Sequence, residues 1–309
     1  MTCRLLIVGL ILGCIPLCSS GTWGFFAHKE INKHAIFLLP EGLFPFYKHN
    51  LEALLKLSVL PDQRRYVIEG EDIRHYIDLD QYPEIAQSYP ACLYVSKDST
   101  QGIAPWNISD MCHKLTWAFR EKKYELIIKY SAELGHYLSD IHVPLHTTSN
   151  YNGQLTKQTG IHGLWESRLP ELFLEEYDLF LPQAYYVNDI DSLAWNTIIE
   201  SHQCLDSVFQ LEKEATKEIG EHRKYGFYNR NGINTHGYSK KYAAQYHQLL
   251  QGQVSRRLRC AVQCISSLWY TCWVNAGSPS LTPLVIHPAS TLEALMDSVS
   301  FEVGRQHEH

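Results

Sequence analysis

Apolar residues recur at three- and four-residue intervals along most of the chain. That spacing predicts helices near 28–38, 42–58, 106–121, 123–142, 162–168, 190–219 and 238–275. No run of alternating apolar and polar positions is long enough to stand out as a strand, so the expected fold class is all-α. Candidate end signals agree: Asn107 or Ser109 before one periodic stretch, Ser192 near the start of another, and Gly277-Ser278-Pro279 closing the last. The connections 60–72, 79–105, 143–161 and 224–237 are rich in Pro, Gly, Asn and Tyr, as loops around a site are. No internal repeat divides the chain. A single multi-helical domain over residues 23–277 with a peripheral tail over 278–309 is expected.

The first residues break the pattern. Arg4 is followed by an apolar run from Leu5 to Ile15, then Pro16 and the small residues Cys18-Ser19-Ser20-Gly21, which reads as a signal peptide over 1–22. The run is too short for a membrane span, which needs about 20 apolar residues. Export, secreted or periplasmic, is therefore expected, with no transmembrane helix in the mature chain. Ile11-Leu12-Gly13-Cys14 loosely resembles a lipoprotein cleavage site, the variant in which Cys14 would carry the lipid. Outside the cytoplasm the remaining Cys92, Cys112, Cys204, Cys260, Cys264 and Cys272 permit up to three disulfides, while Cys260, Cys264 and Cys272 share a helical spacing that equally suits buried free thiols. Asn107-Ile108-Ser109 is a glycosylation sequon.

Composition narrows the chemistry. With 45% hydrophobic and 19% charged residues in 309, the chain can bury a large core. A formal charge of −6 without a polybasic block excludes a grip on nucleic acid by charge alone, so an anionic substrate needs another source of positive charge. Sixteen histidines point to metal.

The histidines cluster with carboxylates. His136 and Asp140 stand four apart on one helical face, Leu134, Tyr137, Leu138 and Ile141 form the other flank, and Pro144 ends the helix so that His146 can return to the same place. His162 and Glu166 repeat the spacing, His162 standing 22 residues beyond Asp140. One such pair is ordinary; two are not. Asp62 and His75 add a carboxylate and an imidazole, and Trp23 with His28 follows the leader directly, where cleavage would expose an α-amino group.

These residues resemble the secreted zinc-dependent phospholipases C and the zinc-dependent single-strand nucleases of the S-one/P-one type, which share an all-helical fold with a trinuclear zinc cluster. The resemblance implies up to three zinc ions. It assigns Asp62, His75, His136 and Asp140 to the first ion, His146, His162 and Glu166 to the second, and Trp23 with His28 and a bridging Asp140 to the third. Tryptophan ligation there requires Trp23 to be the first mature residue. The implied reaction is phosphodiester hydrolysis by water activated between two ions, with Asp62 orienting or deprotonating it. Such ions supply the positive charge the composition lacks. Tyr76, Asp78, Tyr151 and Asn152 are candidate substrate contacts, and Arg64, Arg65, Arg74 and Arg168 are candidates for phosphate or for bonds to ligand carboxylates.

The substrate is open between phospholipid and single-stranded nucleic acid. Glu166, where the nuclease branch usually carries Asp, and the lack of basic stripes favour a phospholipase C; the chain length leans toward a nuclease or 3′-nucleotidase. A non-catalytic zinc-binding protein would need closed four-ligand sites, whereas the second ion has three protein ligands. Glu133-x-x-His136 would fit a di-iron bundle, but no second copy exists. No obligate protein partner is evident.

Overall fold

A computed structural model describes residues 24–281 except 66, 83–88 and 231. The expected signal segment 1–22, with Cys14, Trp23 and most of the tail, lies outside the described residues.

The architecture is all-α. It comprises α1 (Phe25–Ile36), α2 (Phe44–His49), α3 (Leu51–Leu57), α4 (Leu60–Arg64), α5 (Ala104–Arg120), α6 (Tyr124–Ile141), α7 (Ile161–Gly163), α8 (Leu169–Phe173), α9 (Ile190–His202), α10 (Leu205–Ile219), α11 (Lys240–Leu249) and α12 (Gln253–Asn275). One hairpin, β1 (Tyr225–Arg230) antiparallel to β2 (Ile233–Tyr238), is the single sheet among the described residues. That hairpin departs from the expected loop over 224–237. One face is carried by Tyr225, Phe227 and Tyr238 and the other by Tyr228, among Gly and Asn, and aromatics of this kind satisfy a strand without forming an aliphatic run.

Three expected long helices are each broken in two. The 42–58 stretch divides at Asn50, the 190–219 stretch at Gln203–Cys204, and the 238–275 stretch where Gln251 and Gly252 take positive φ. Periodicity persists across such breaks because both halves bury the same side. Helix α5 starts earlier than expected, with Pro105 in its first turn, so Asn107 lies inside the helix and its side chain is buried. The sequon is thus closed to modification in the folded chain. Asp189, rather than Ser192, caps α9, accepting the Ser192 backbone N–H at 2.9 Å. The last end signal holds: Gly277 takes φ 87° and its N–H returns to Val274 O at 2.9 Å.

Helix α6 is the central element, packed by α1, α3, α5, α9 and α12. Its buried face extends almost all round, from Ile127 to Ile141, as a helix surrounded by others requires. Trp269 of α12 stacks on Tyr47 at 4.9 Å and donates its indole N–H to Ser131 O of α6 at 3.0 Å. A large ring is buried there with its one polar atom satisfied. Cys92, Cys112, Cys264 and Cys272 are buried free thiols, and Cys260, on the same helix as the last two, is exposed and free. The described cysteines therefore follow the thiol alternative.

Candidate metal centre

The C-terminal half of α6 supplies His136 and Asp140, both fully buried. The helix stops at Ile141, and Pro144 opens a 3₁₀ turn over Pro144–Thr147 that returns His146 to the same point. Helix α1 lays the His28 ring on that of His136, with centroids 3.9 Å apart and planes at 17°. Asp62 comes from α4, and His75 follows a 3₁₀ turn over Asp72–Arg74. The segment 161–173 carries His162 and Glu166, and its middle, Leu164–Arg168, is a π-helical turn between α7 and α8. Wide turns of this type inside α-helices concentrate at functional sites.

The atoms converge. His75 Nδ1 lies 2.8 Å from Asp140 Oδ2 and 3.1 Å from His136 Nε2, and Asp62 Oδ1 lies 3.6 Å from His136 Nε2. His28 Nε2 is 3.5 Å from Asp140 Oδ1 and 4.0 Å from Asp62 Oδ2. Beside them, His146 Nε2 sits 3.4 Å from Glu166 Oε2 and 3.3 Å from His162 Nε2, and His162 Nε2 also contacts Glu166 Oε2. His146 Nε2 is 4.0 Å from Asp140 Oδ1, which joins the two clusters. Three sets of donors thus lie within coordinating reach of one another: His28, His136 and Asp140; Asp62, His75 and His136; and His146, His162 and Glu166. Asp140 and His136 belong to the first of these sets, and every other described ligand expected from the sequence falls in one of them. Trp23 lies outside the described residues, but its neighbour Gly24 donates its N–H to Ser167 Oγ at 3.0 Å, one residue beyond Glu166.

The outward-facing nitrogens fix the inward ones. His136 Nδ1 bonds Ser58 O at 2.8 Å, His146 Nδ1 bonds His75 O at 2.8 Å and His162 Nδ1 bonds Tyr151 O at 3.1 Å. Each Nδ1–H donated to a carbonyl leaves the Nε2 lone pair aimed at the cluster, the arrangement a metal-ligating histidine needs. Burial, with neighbouring His136 and His146, holds His28 well below the usual imidazole range, and burial lowers His162 to about 4. Burial, then Asp62, pushes Asp140 well up; burial, then Asp140 and Asp62, does the same to Glu166. Neutral imidazoles beside carboxylates that resist ionisation are the signature of a site short of positive charge. His28 Nε2 and Asp140 Oδ1 are buried without a hydrogen-bond partner. Unpaired buried polar atoms of this kind are rare unless something absent completes them. The N/O donor set of imidazole and carboxylate suits zinc.

A family model of zinc dependent phospholipase C matches residues 27–229, most of the chain and all described ligands. The chain belongs to the zinc dependent phospholipase C family. Among solved structures, the Clostridium perfringens alpha-toxin of avian strain SWCP is similar in fold, with a TM-score of 0.50 at 15% identity over 82% of this chain and 64% of that chain. No curated protein sequence matches it.

In this phospholipase-C family chain, the Glu71 support behind the ligands was not legible in the sequence, whereas Arg65 meets a ligand carboxylate as one of the four candidate arginines. Glu71 is buried with Oε1 3.8 Å from His75 Nε2, and Arg64 grips it through Nε at 3.0 Å and Nη2 at 3.1 Å. Tyr137 Oη donates to Glu71, and Arg64 also pairs with Glu133. Glu133 is thus committed to Arg64, which removes the Glu-x-x-His reading. Arg65 Nη1 lies 3.7 Å from Asp62 Oδ1, and its charge is felt by His75, Asp140, His146, His162 and Glu166. It is the arginine that faces the centre. Arg74 joins Glu71 at 3.3 Å, and Arg168 lies 3.7 Å over the Tyr228 ring.

Of the candidate substrate contacts, Tyr76 and Asp78 are half-buried, and burial with Asp80 nearby raises Asp78 to about 6. Tyr151 is exposed, its ring 6.1 Å from that of His162. Asn152 holds its own loop, its amide oxygen accepting Gly160 N–H at 3.0 Å.

Proposed function

We propose that this chain is an exported phospholipase C that cleaves phospholipids on the diacylglycerol side of the phosphate. The observation that carries the reading is the fusion of three donor sets through Asp140, next to a second-ion set that comprises His146, His162 and Glu166 among the described residues. A purely structural zinc site would close with a fourth protein ligand.

Zinc bound there supplies Lewis-acid charge and acidifies a water to a pKa of about 7. His75, His136, Asp62 and Asp140 would hold one ion, His146, His162 and Glu166 a second, and His28 with Asp140 and the amine and carbonyl of Trp23 a third. Residue 23 adjoins Gly24, which is bonded beside Glu166, in keeping with that role. The reaction forms a bond from the water oxygen to phosphorus and breaks the bond from phosphorus to the glycerol oxygen, which takes a proton from solvent water and leaves as the hydroxyl of diacylglycerol. Asp62 orients the water and accepts its proton, and Arg65 holds a non-bridging phosphate oxygen. Tyr76, Asp78 and Tyr151 contact the headgroup, and Asn152 keeps the loop that presents Tyr151 in shape.

Residues 1–22 act as the leader, 23–277 form the catalytic domain, and 278–309 are peripheral to it. N-terminal sequencing of exported protein checks this: a start at Trp23 fits, and a start elsewhere, or a lipidated Cys14, removes the α-amine from the third set. The deciding assay compares zinc-reconstituted mature protein on phosphatidylcholine vesicles, single-stranded DNA and single-stranded RNA, with a chelator control. Chelator-sensitive release of diacylglycerol supports the proposal. Cleavage of nucleic acid alone would assign a nuclease on the same metal core, and no cleavage despite bound zinc would overturn both.

A further inference from the structure

The hairpin that the apolar pattern hides has two unlike faces. On one, Tyr228 covers Arg168, two residues beyond Glu166, and so attaches the hairpin to the ligand-bearing segment. On the other, the register sets Phe227 opposite His236 and Tyr225 opposite Tyr238, and side chains paired in this way lie together on the same side of the sheet. Their rings form a ladder, with Phe227 and His236 centroids 5.0 Å apart and Tyr225 and Tyr238 4.9 Å apart. At its base Tyr238 Oη donates to Thr159 O at 3.4 Å, which joins the hairpin to the loop that reaches His162 through Tyr151 O. At its outer end Phe227 is 74% exposed, and Leu155 on the adjoining loop is 71% exposed. Phe227 thus ends a continuous ladder of rings and is not a lone exposed side chain, and both it and Leu155 belong to segments tied to the metal site.

Charge distinguishes the partner. Residues 221–241 carry five Lys or Arg and one acidic residue in a chain of −6. Lys224 is buried against Glu212 at 2.8 Å, but Arg223, Lys240 and Lys241 are exposed, as is Lys157 on the loop. Aromatic rings on a segment flanked in the chain by exposed cations match the headgroup region of a bilayer, where rings enter the interface and cations meet anionic lipid.

We propose that the ring face of the hairpin, with Leu155 and its flanking cations, docks this enzyme on the surface of a bilayer containing anionic phospholipid. The proposal deepens the phospholipase reading by saying how the centre reaches lipid that stays in a membrane. Phe227 and Leu155 enter the interface, the cations hold the surface, and the loop and hairpin together set the metal centre at the headgroup level.

The test uses the full mature chain loaded with zinc. Its sedimentation with phosphatidylcholine vesicles, with and without phosphatidylglycerol, is compared for wild type, Phe227→Ser with Leu155→Ser, and Phe180→Ser as an exposed aromatic in a separate groove beside Glu30 and His34. Hydrolysis of a short-chain phosphatidylcholine below its micelle concentration is measured alongside. Expected are tighter binding to phosphatidylglycerol-containing vesicles, weakening with salt, and a loss of about tenfold in the double variant only, with monomer hydrolysis unchanged. Equal binding by the double variant, or an equal loss with Phe180→Ser, would overturn the docking surface. So would wild-type dimerisation abolished by the double variant, which would assign the face to a second copy. Vesicle binding that depends on Phe227 and Leu155 without any lipid hydrolysis would uphold the surface and sink the phospholipase reading instead.

Discussion

Asp62 concentrates two demands in one carboxylate. Its Oδ1 faces His136 and His75 at 3.6 and 3.9 Å, and Arg65 approaches the same atom, so its charge serves the metal set while its edge is available to water. Asp62→Asn retains an oxygen ligand and removes the base. Turnover is expected to fall about 10²- to 10⁴-fold, the usual contribution of a positioned proton acceptor, with zinc content by atomic absorption largely kept. Near-normal turnover would remove Asp62 from the proton's path; a parallel loss of zinc would make it a ligand and nothing more. At this scale the sequence was most legible for residues whose partners sit nearby in the chain. His136 with Asp140, and His162 with Glu166, announce themselves by a four-residue spacing that a helix turns into adjacency. Glu71 gave no such signal, since it meets Arg64 and Tyr137 by tertiary folding, and Arg65, one of four candidate arginines, is distinguished from Arg64 beside it only by the direction its side chain takes from the end of α4. Neighbouring arginines with opposite duties cannot be told apart without the fold.

Among the elements, α1 packs on α6 at Gly135 with no room for a side chain there. A Cβ there would lie 2.0 Å from Asn32 Oδ1, and Asn32 is buried with its amide donating to His28 O at 2.9 Å. Gly135→Ala therefore sets two effects against each other. Alanine is favoured over glycine in a helix interior by about 1 kcal/mol, whereas overfilling a packed contact costs about 1–3 kcal/mol. Because Asn32 can yield only by giving up its bond to His28 or moving α1, the steric effect is expected to win, lowering Tm and weakening zinc retention at the set that includes His28. A higher Tm with unchanged zinc stoichiometry would show that the amide swings aside freely. The element scale also explains where the sequence pattern stopped short. Helix α6 and the end of α12 were readable because burial is continuous along them, and Pro144 and Gly277 mark real stops. The breaks at Asn50, Gln203–Cys204 and Gln251–Gly252 were not, because the apolar spacing resumes in phase after each one. The β1–β2 hairpin was missed for the opposite reason: its ladder is aromatic and its neighbours are Gly and Asn, so it imitates a loop until the two strands are seen in register.

For the whole molecule, the metal centre links stability to pH through opposed groups. Burial raises Asp140 and Glu166 above the usual carboxylate range and lowers His28, His75 and His146 below the imidazole range. In the metal-free protein, carboxylates with raised folded pKa values favour folding fully below their unfolded values near 4, and that contribution is lost as pH rises toward the folded ones. Histidines with lowered folded values act in the other direction, weakening the fold as pH falls below about 6.5 because the unfolded chain gains protons first. Zinc binds only the deprotonated donors. It thus cancels the cost of ionising Asp140 and Glu166, and its binding displaces protons from the carboxylates more than from the already neutral imidazoles. The rise in Tm on adding zinc to chelator-stripped protein should be larger at about pH 7.5 than at about pH 5.5, and calorimetry in buffers of different ionisation enthalpy should register net proton release on binding. A zinc-induced Tm shift independent of pH, or binding without proton release, would mean that the metal-free centre is already ionised, with solvent or a rearranged Arg65 supplying the charge that the buried cluster otherwise lacks.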